Sequence, residues 1–95
     1  MSNSGGIRAA IDAGPVTLSD LLTVFPFQNT FDLVVVPGRA LRAALEHSVA
    51  AAGVDGRFLQ MAGLQVRYNL ARPSGARLVA AKVDRGPAGW TDLQD

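Results

Sequence analysis

The spacing of apolar and polar positions changes several times along the chain, and each change marks a different element. In GRALRAALEHSVAAAG, residues 38–53, Leu41, Ala44, Leu45, Ser48 and Ala52 recur at helical spacing. Alanine supplies propensity and Gly53 stands where a left-handed C-cap residue belongs, which predicts a main helix over about 38–52. From residue 64 the period drops to two. Leu64, Val66, Tyr68 and Leu70 share one face, and Gln65, Arg67 and Asn69 the other, the pattern of a half-exposed strand. ARPSG at 71–75 is a turn, and ARLVAAKVD at 76–84 is long enough to pair back as a hairpin. GRFLQMAG, just upstream, adds a short strand ending near Gly63. Nearer the start, Thr17 followed three residues later by Asp20 predicts the beginning of a short helix over about 18–24, although Asp stands where a full capping box has Glu or Gln. Pro26 ends it. TFDLVVV at 30–36 is β-branched and aromatic with no polar face, which predicts an interior strand covered on both sides. RGPAGWTDLQD at 85–95 has no periodicity and reads as loop or frayed terminus. The expected architecture is α+β: a mixed sheet with a C-terminal β-hairpin, packed by the main helix and the short one.

Composition narrows the function. At 95 residues the chain is one domain at most. Its 48% hydrophobic and 18% charged residues and net charge of +1 belong to a globular domain rather than a disordered tail. The nine Lys and Arg residues form no run and are not interleaved with aromatics, so nucleic acid is not an expected partner. With no cysteine there is neither a disulfide framework nor a thiolate metal site. The apolar stretches are too short to span a bilayer, so membrane insertion is not expected, and the first residues lack the charged and apolar regions of a signal peptide.

Candidate chemistry concentrates in NSGGIR, residues 3–8. Two glycines followed by an apolar residue and Arg8 place a backbone turn beside a guanidinium, so backbone N–H groups and a planar cation could converge on an anion. The motif is neither a P-loop nor a dinucleotide fingerprint, because the strand, spacing and lysine those require are missing. His47 is the only histidine and cannot build a dimetal site; a packing or capping role suits it. Ser48 and His47 are helix neighbours pointing about 100° apart, which excludes a nucleophile–base pair. Glu46 follows Arg42 by four positions, a surface pair of small value. Phe25 and Phe27 flank Pro26, and an apolar pair at a helix end is usually core, the reading expected for Phe25. Trp90 has no assigned role.

The ordered series NSGGIR, GPVTLSDLLTVFPFQNTFDLVVVPG, LRAALEHSV and GRFLQMAGLQVRYNLARPSGARL closely resembles the C-terminal, substrate-binding domain of the 5′-nucleotidase and UDP-sugar hydrolase family, ecto-5′-nucleotidases included, over about residues 3–86. In that family the domain holds the nucleoside while a separate N-terminal metallophosphoesterase domain holds two divalent metal ions and the phosphate. The resemblance implies that Asn3 hydrogen-bonds near the base, that Arg8 reaches the ribose and phosphate side, that Gly5 and Gly6 shape the turn, and that the Phe27 ring stacks on the base. It implies no catalytic residue and no metal or other cofactor bound by this chain, which by itself is not expected to be an enzyme. The expected ligand is a nucleoside 5′-monophosphate or a nucleoside, held weakly, and the expected partner is the absent metallophosphoesterase domain. The parent reaction would be metal-dependent removal of phosphate from nucleoside 5′-monophosphates, with UDP-sugars or cyclic dinucleotide products as further substrates. Family members work outside the cytoplasm, in the periplasm, at the cell wall or on the cell surface. Two departures stand out: the family's downstream Gly-Gly-Asp-Gly loop, with a second stacking aromatic and a ribose-binding Asp, and an upstream substrate Arg have no counterpart here. The chain thus resembles a partial domain cut at both ends, and an uncovered sheet edge would favour homo-oligomers. The alternative expectation is therefore a self-associating structural fragment without significant ligand binding.

Overall fold

The computed structural model describes residues 1–51 and 55–95. In chain order its elements are β1 (Ser2–Asn3), a 3₁₀ turn (Ser4–Gly6), α1 (Leu18–Val24), α2 (Gly38–Val49), β2 (Leu59–Gln60), β3 (Leu64–Tyr68), β4 (Leu78–Asp84), a second 3₁₀ turn (Gly86–Ala88) and β5 (Trp90–Asp92). The α+β class and the C-terminal hairpin are as the sequence predicts. The sheet is not mixed: β1 pairs with β2, and β3–β4–β5 form a second sheet, every pairing antiparallel.

The hairpin carries a bulge that decides what it buries. Arg67 faces Ala80 but Tyr68 faces Leu78, so Val79 is the extra residue. Because side chains alternate along a strand, this single insertion turns Leu78 to the same face as Ala81 and Val83 and leaves Val79 outside. That face meets α2. Leu45, Ala81 and Leu93 form the buried cluster, with Leu41, Met61, Val66, Leu78 and Val83 packed around it.

Polar side chains of α2 fasten the rest. Glu46 does not pair with Arg42. Its carboxylate accepts from the backbone N–H groups of Arg77 (3.1 Å) and Leu78 (2.6 Å), fixing the start of β4. Arg42 instead donates to the Leu93 carbonyl at 2.8 Å and stands 3.6 Å from the Asp95 carboxylate. Arg77 closes the other end of α2 by donating to the carbonyls of Val49 (3.0 Å) and Ala50 (2.7 Å), the orphan acceptors of a helix C-terminus. The helix runs to Val49, short of the predicted 52; residues 50 and 51 form a turn, and Ala52 and the Gly53 cap lie outside the described residues. His47 is exposed in the last turn.

Residues 85–95 are not a frayed tail. Trp90–Asp92 pairs with β4, the Leu93 N–H donates to the Ala81 carbonyl at 2.9 Å, and the Leu93 side chain is buried. The backbone of 94–95 lies against Gly38, where a Cβ would have no room. The strand expected at 30–36 is also absent. The segment is unpaired, with Phe31, Leu33 and Val35 essentially fully exposed, because no described element of this chain covers either of its faces. Phe25, expected in the core, is 52% exposed, no less open than Phe27 at 51%.

Candidate functional site

The NSGGIR loop is set in place by a relay that starts on α2. Ser48, the one buried polar residue among those described, accepts from the Leu59 N–H at 2.9 Å and so fixes the Phe58–Gln60 segment. That segment receives the loop. Asn3 pairs with Leu59, the Ser4 N–H donates to the Phe58 carbonyl at 2.7 Å, and the Ser4 hydroxyl donates to the same oxygen at 2.6 Å. One residue on, the Gly5 N–H donates to the Gly56 carbonyl at 3.0 Å. The Ile7 N–H returns to the Ser4 carbonyl at 3.0 Å, closing the 3₁₀ turn.

These bonds revise the anion-cradle expectation. The N–H groups of Ser4, Gly5, Ile7 and Arg8 are all engaged within the protein, so the turn is not a nest of free donors. The glycines do something else. A Cβ on Gly5 would stand 3.3 Å from the Asn3 amide nitrogen, and one on Gly6 would stand 3.4 Å from the Asn3 amide oxygen. Asn3 therefore folds its amide over two positions that leave room for it, with both a donor and an acceptor at the surface.

Arg8 is anchored through its backbone, its N–H donating to the Val24 carbonyl at 2.8 Å. Its guanidinium leans back to the Gly5 carbonyl at 3.4 Å, is exposed, and makes no ion pair among the described residues. The same Val24 ends α1 three residues before Phe27, so this one bond ties the Arg8 segment to the segment that carries the ring. Asn3 lies beside Gly5 and Gly6, and Arg8 reaches back to Gly5; the Val24 bond is what links this loop to the Phe27 segment. α1 starts as the sequence predicts, and the capping box is complete with Asp in the third position. Asp20 N–H donates to the Thr17 hydroxyl at 3.2 Å, and Thr17 N–H to the Asp20 carboxylate at 2.9 Å. The Thr17 hydrogen bonds hold the Asp20 carboxyl below its ordinary value of 3.8.

Sequence patterns do not single out Gly56, and although Ser4 lies in NSGGIR and Ser48 on the helical stripe, their hydrogen bonds to distant residues leave no periodic signal. Clefts open on two parts of the described fold. One of 230 Å³ lies between α2 and the hairpin beside the edge-on Phe58–Tyr68 pair, and one of 300 Å³ lies between residues 10–15 and α1. None of the five expected site residues lines either. No group of three His, Asp or Glu side chains that could hold a metal ion occurs among the described residues.

The family described as 5′-nucleotidase, C-terminal domain, matches residues 1–88. A 5′-nucleotidase of Diplobatis ommata is 49% identical over 84 residues, covering 84% of this chain and 14% of that protein. A snake venom 5′-nucleotidase of Gloydius brevicauda is 45% identical over 86 residues, 85% of this chain and 15% of that protein. The crystal structure of a 5′-nucleotidase precursor from Thermus thermophilus superposes with a TM-score of 0.86 at 40% identity, over 98% of this chain and 18% of that one. The chain belongs to the 5′-nucleotidase family and corresponds to its C-terminal domain. It spans about one-seventh of the length of these curated relatives.

Proposed function

We propose that this domain is the nucleoside-recognition part of a metal-dependent 5′-nucleotidase-like phosphohydrolase, with hydrolysis carried out by a separate metallophosphoesterase domain that holds two divalent ions. One observation carries the reading: the Asn3 amide and the Arg8 guanidinium, both exposed, sit on one glycine turn that is bonded to the rest of the fold on either side. The amide supplies paired donor and acceptor for a base edge, the guanidinium a planar cation for phosphate oxygens, and the half-exposed Phe27 a stacking face. The expected ligand is a nucleoside 5′-monophosphate, and an extracytoplasmic location follows the venom and precursor relatives.

Affinity in the isolated chain should be low. Stacking on one ring contributes about 1–3 kcal/mol and an exposed charge pair about 0–1 kcal/mol, together at most the roughly 4 kcal/mol of a millimolar complex. Titrating adenosine 5′-monophosphate into ¹⁵N-labelled protein should shift Asn3, Gly5, Gly6, Arg8 and Phe27 at millimolar or higher concentration. Micromolar binding by calorimetry, or shifts centred on His47 or Trp90, would contradict the assignment. No phosphate release above a metal blank is expected with Mn²⁺ or Zn²⁺.

A second reading, a self-associating fragment, is favoured by the bare 31–36 segment. The accessible surface is 7084 Å², against about 5,200 Å² for a monomeric fold of this mass. The excess is larger than the roughly 800 Å² each partner gives to a stable interface. Light scattering at rising concentration decides: a clean monomer at high concentration removes this reading.

A further inference from the structure

We infer that Gly56 and Ser4 are positioning residues for the recognition loop, setting where the Asn3 amide and the Arg8 guanidinium stand without touching ligand themselves; the inference rests on the proposed reading of that loop. The loop is seated by two opposed contacts. One is a limit of approach. A Cβ on Gly56 would stand 2.7 Å from the Gly5 Cα and 3.0 Å from the Gly5 nitrogen, both backbone atoms that cannot swing aside. The Gly5 N–H also donates to the Gly56 carbonyl, so the two strands of backbone are held at a separation only a missing side chain allows. The other contact is an anchor: the Ser4 hydroxyl on the Phe58 carbonyl at 2.6 Å, part-buried. It fixes the residue between Asn3 and Gly5.

The turn that presents Gly56 is itself braced. Asp55 accepts from the Arg57 backbone N–H at 3.0 Å, and its carboxylate lies 2.7 Å from the Arg57 guanidinium. A side chain added at Gly56 therefore meets a turn that resists yielding, and the displacement falls on Gly5 and Gly6. These are the two positions over which Asn3 folds its amide. Neither Gly56 nor Ser4 contributes to the cluster of Leu45, Ala81 and Leu93, so the change reads out at the loop rather than through the core.

The test uses the full 95-residue chain and adenosine 5′-monophosphate as probe, with ¹H–¹⁵N spectra of the wild type, Gly56→Ala, Ser4→Ala, Ser4→Thr and Arg8→Ala. In the ligand-free protein, Gly56→Ala should move the Gly5, Gly6 and Asn3 side-chain signals and leave Ala81 and Leu93 in place. Both Gly56→Ala and Ser4→Ala should weaken binding about threefold or more, on the scale of one lost hydrogen bond, while Ser4→Thr, which keeps the hydroxyl, should bind as wild type does. If Arg8→Ala weakens binding but Gly56→Ala and Ser4→Ala titrate like wild type, the positioning role is wrong and the recognition loop stands. If Arg8→Ala itself titrates like wild type, the recognition loop is wrong. Should Gly56→Ala lose the Ala81 and Leu93 signals through misfolding, Ser4→Ala, which adds no clash, decides between these outcomes.

Discussion

Residues 38–95 and residues 7–37 are both rich in apolar side chains, yet they are held in opposite ways. The first region closes on itself: Leu45 is 1% exposed, and the helix, hairpin and last strand share one cluster. In the second, Val24 is the one buried large apolar residue among those described, while α1 and the 31–36 segment present leucines, phenylalanines and valines to solvent. The radius of gyration, 15.5 Å, exceeds the roughly 12 Å of a compact fold of this length, in keeping with that open half. Hydrophobic pattern states what a segment needs, and only the presence of a partner states whether the need is met. Where packing is missing, local hydrogen bonds carry the structure.

The sharpest way to break this comparison is to truncate one leucine in each region. Leu45→Ala should destabilise the chain by about 2–5 kcal/mol, the cost of a cavity in a fixed core. Leu33→Ala, at a fully exposed position, should change stability by no more than about 0.5 kcal/mol. Urea unfolding followed by circular dichroism measures both. Comparable losses would mean that residues 31–36 are covered in solution, as the self-association reading requires.

Next in size is the carboxylate that locks the hairpin onto α2. Glu46→Ala leaves the N–H groups of Arg77 and Leu78 without their acceptor in a part-buried place, at an expected cost of about 1–3 kcal/mol. Glu46→Gln keeps one acceptor and should recover part of it. Amide exchange at Leu78 distinguishes this from a surface pair with Arg42, which would leave Leu78 protection unchanged.

The main helix, the hairpin and the Thr17 start of α1 are legible in the sequence because each is written in local spacing. The surface-pair reading of Glu46 and Arg42 fails for the converse reason: their partners are backbone groups more than 30 residues away, and an i, i+4 rule sees only the helix surface. The three residues of β5 are too few for periodicity, so their pairing with β4 leaves no signal. The 30–36 run reads as a covered strand from its composition, which cannot report that no described element lies over it. Of the site, Asn3, Gly5, Gly6 and Arg8 come from a family motif, and the structure adds that the Gly5 and Arg8 backbone donors are already used. Gly56 has no sequence signal, since its need for a bare Cα comes from a backbone met in space.

In the open region the capping box is the device to remove. α1 has seven residues, too few to be stable alone, so Thr17→Ala should cost about 1 kcal/mol of helix stability. It should act locally: faster exchange at Leu21 and Phe25 N–H, whose acceptors are the carbonyls of Thr17 and Leu21, with Ala81 unchanged. Loss of protection at Ala81 as well would show that the two regions unfold as one.

The smallest effect is a pH dependence confined to that cap. Asp20 titrates below its ordinary 3.8, first because the Thr17 backbone N–H donates to its carboxylate and second because of the Thr17 side chain; its slight desolvation acts the other way. A carboxyl whose folded value is depressed binds its proton more readily when the helix is undone. Its contribution is therefore whole above 3.8 and is lost as pH falls through the lowered value. The Asp20 carboxylate is tied to the fold only locally, by the Thr17 N–H, so the change should show in the cap and not in the global unfolding midpoint. Following the Thr17 and Asp20 amide shifts from neutral pH downward should give a transition below 3.8, while Asp20→Asn should give a flat trace at Thr17. A Thr17 transition at or above 3.8 would mean that the box is open in solution, and the open region would then lack even the local hydrogen bonds credited with holding it.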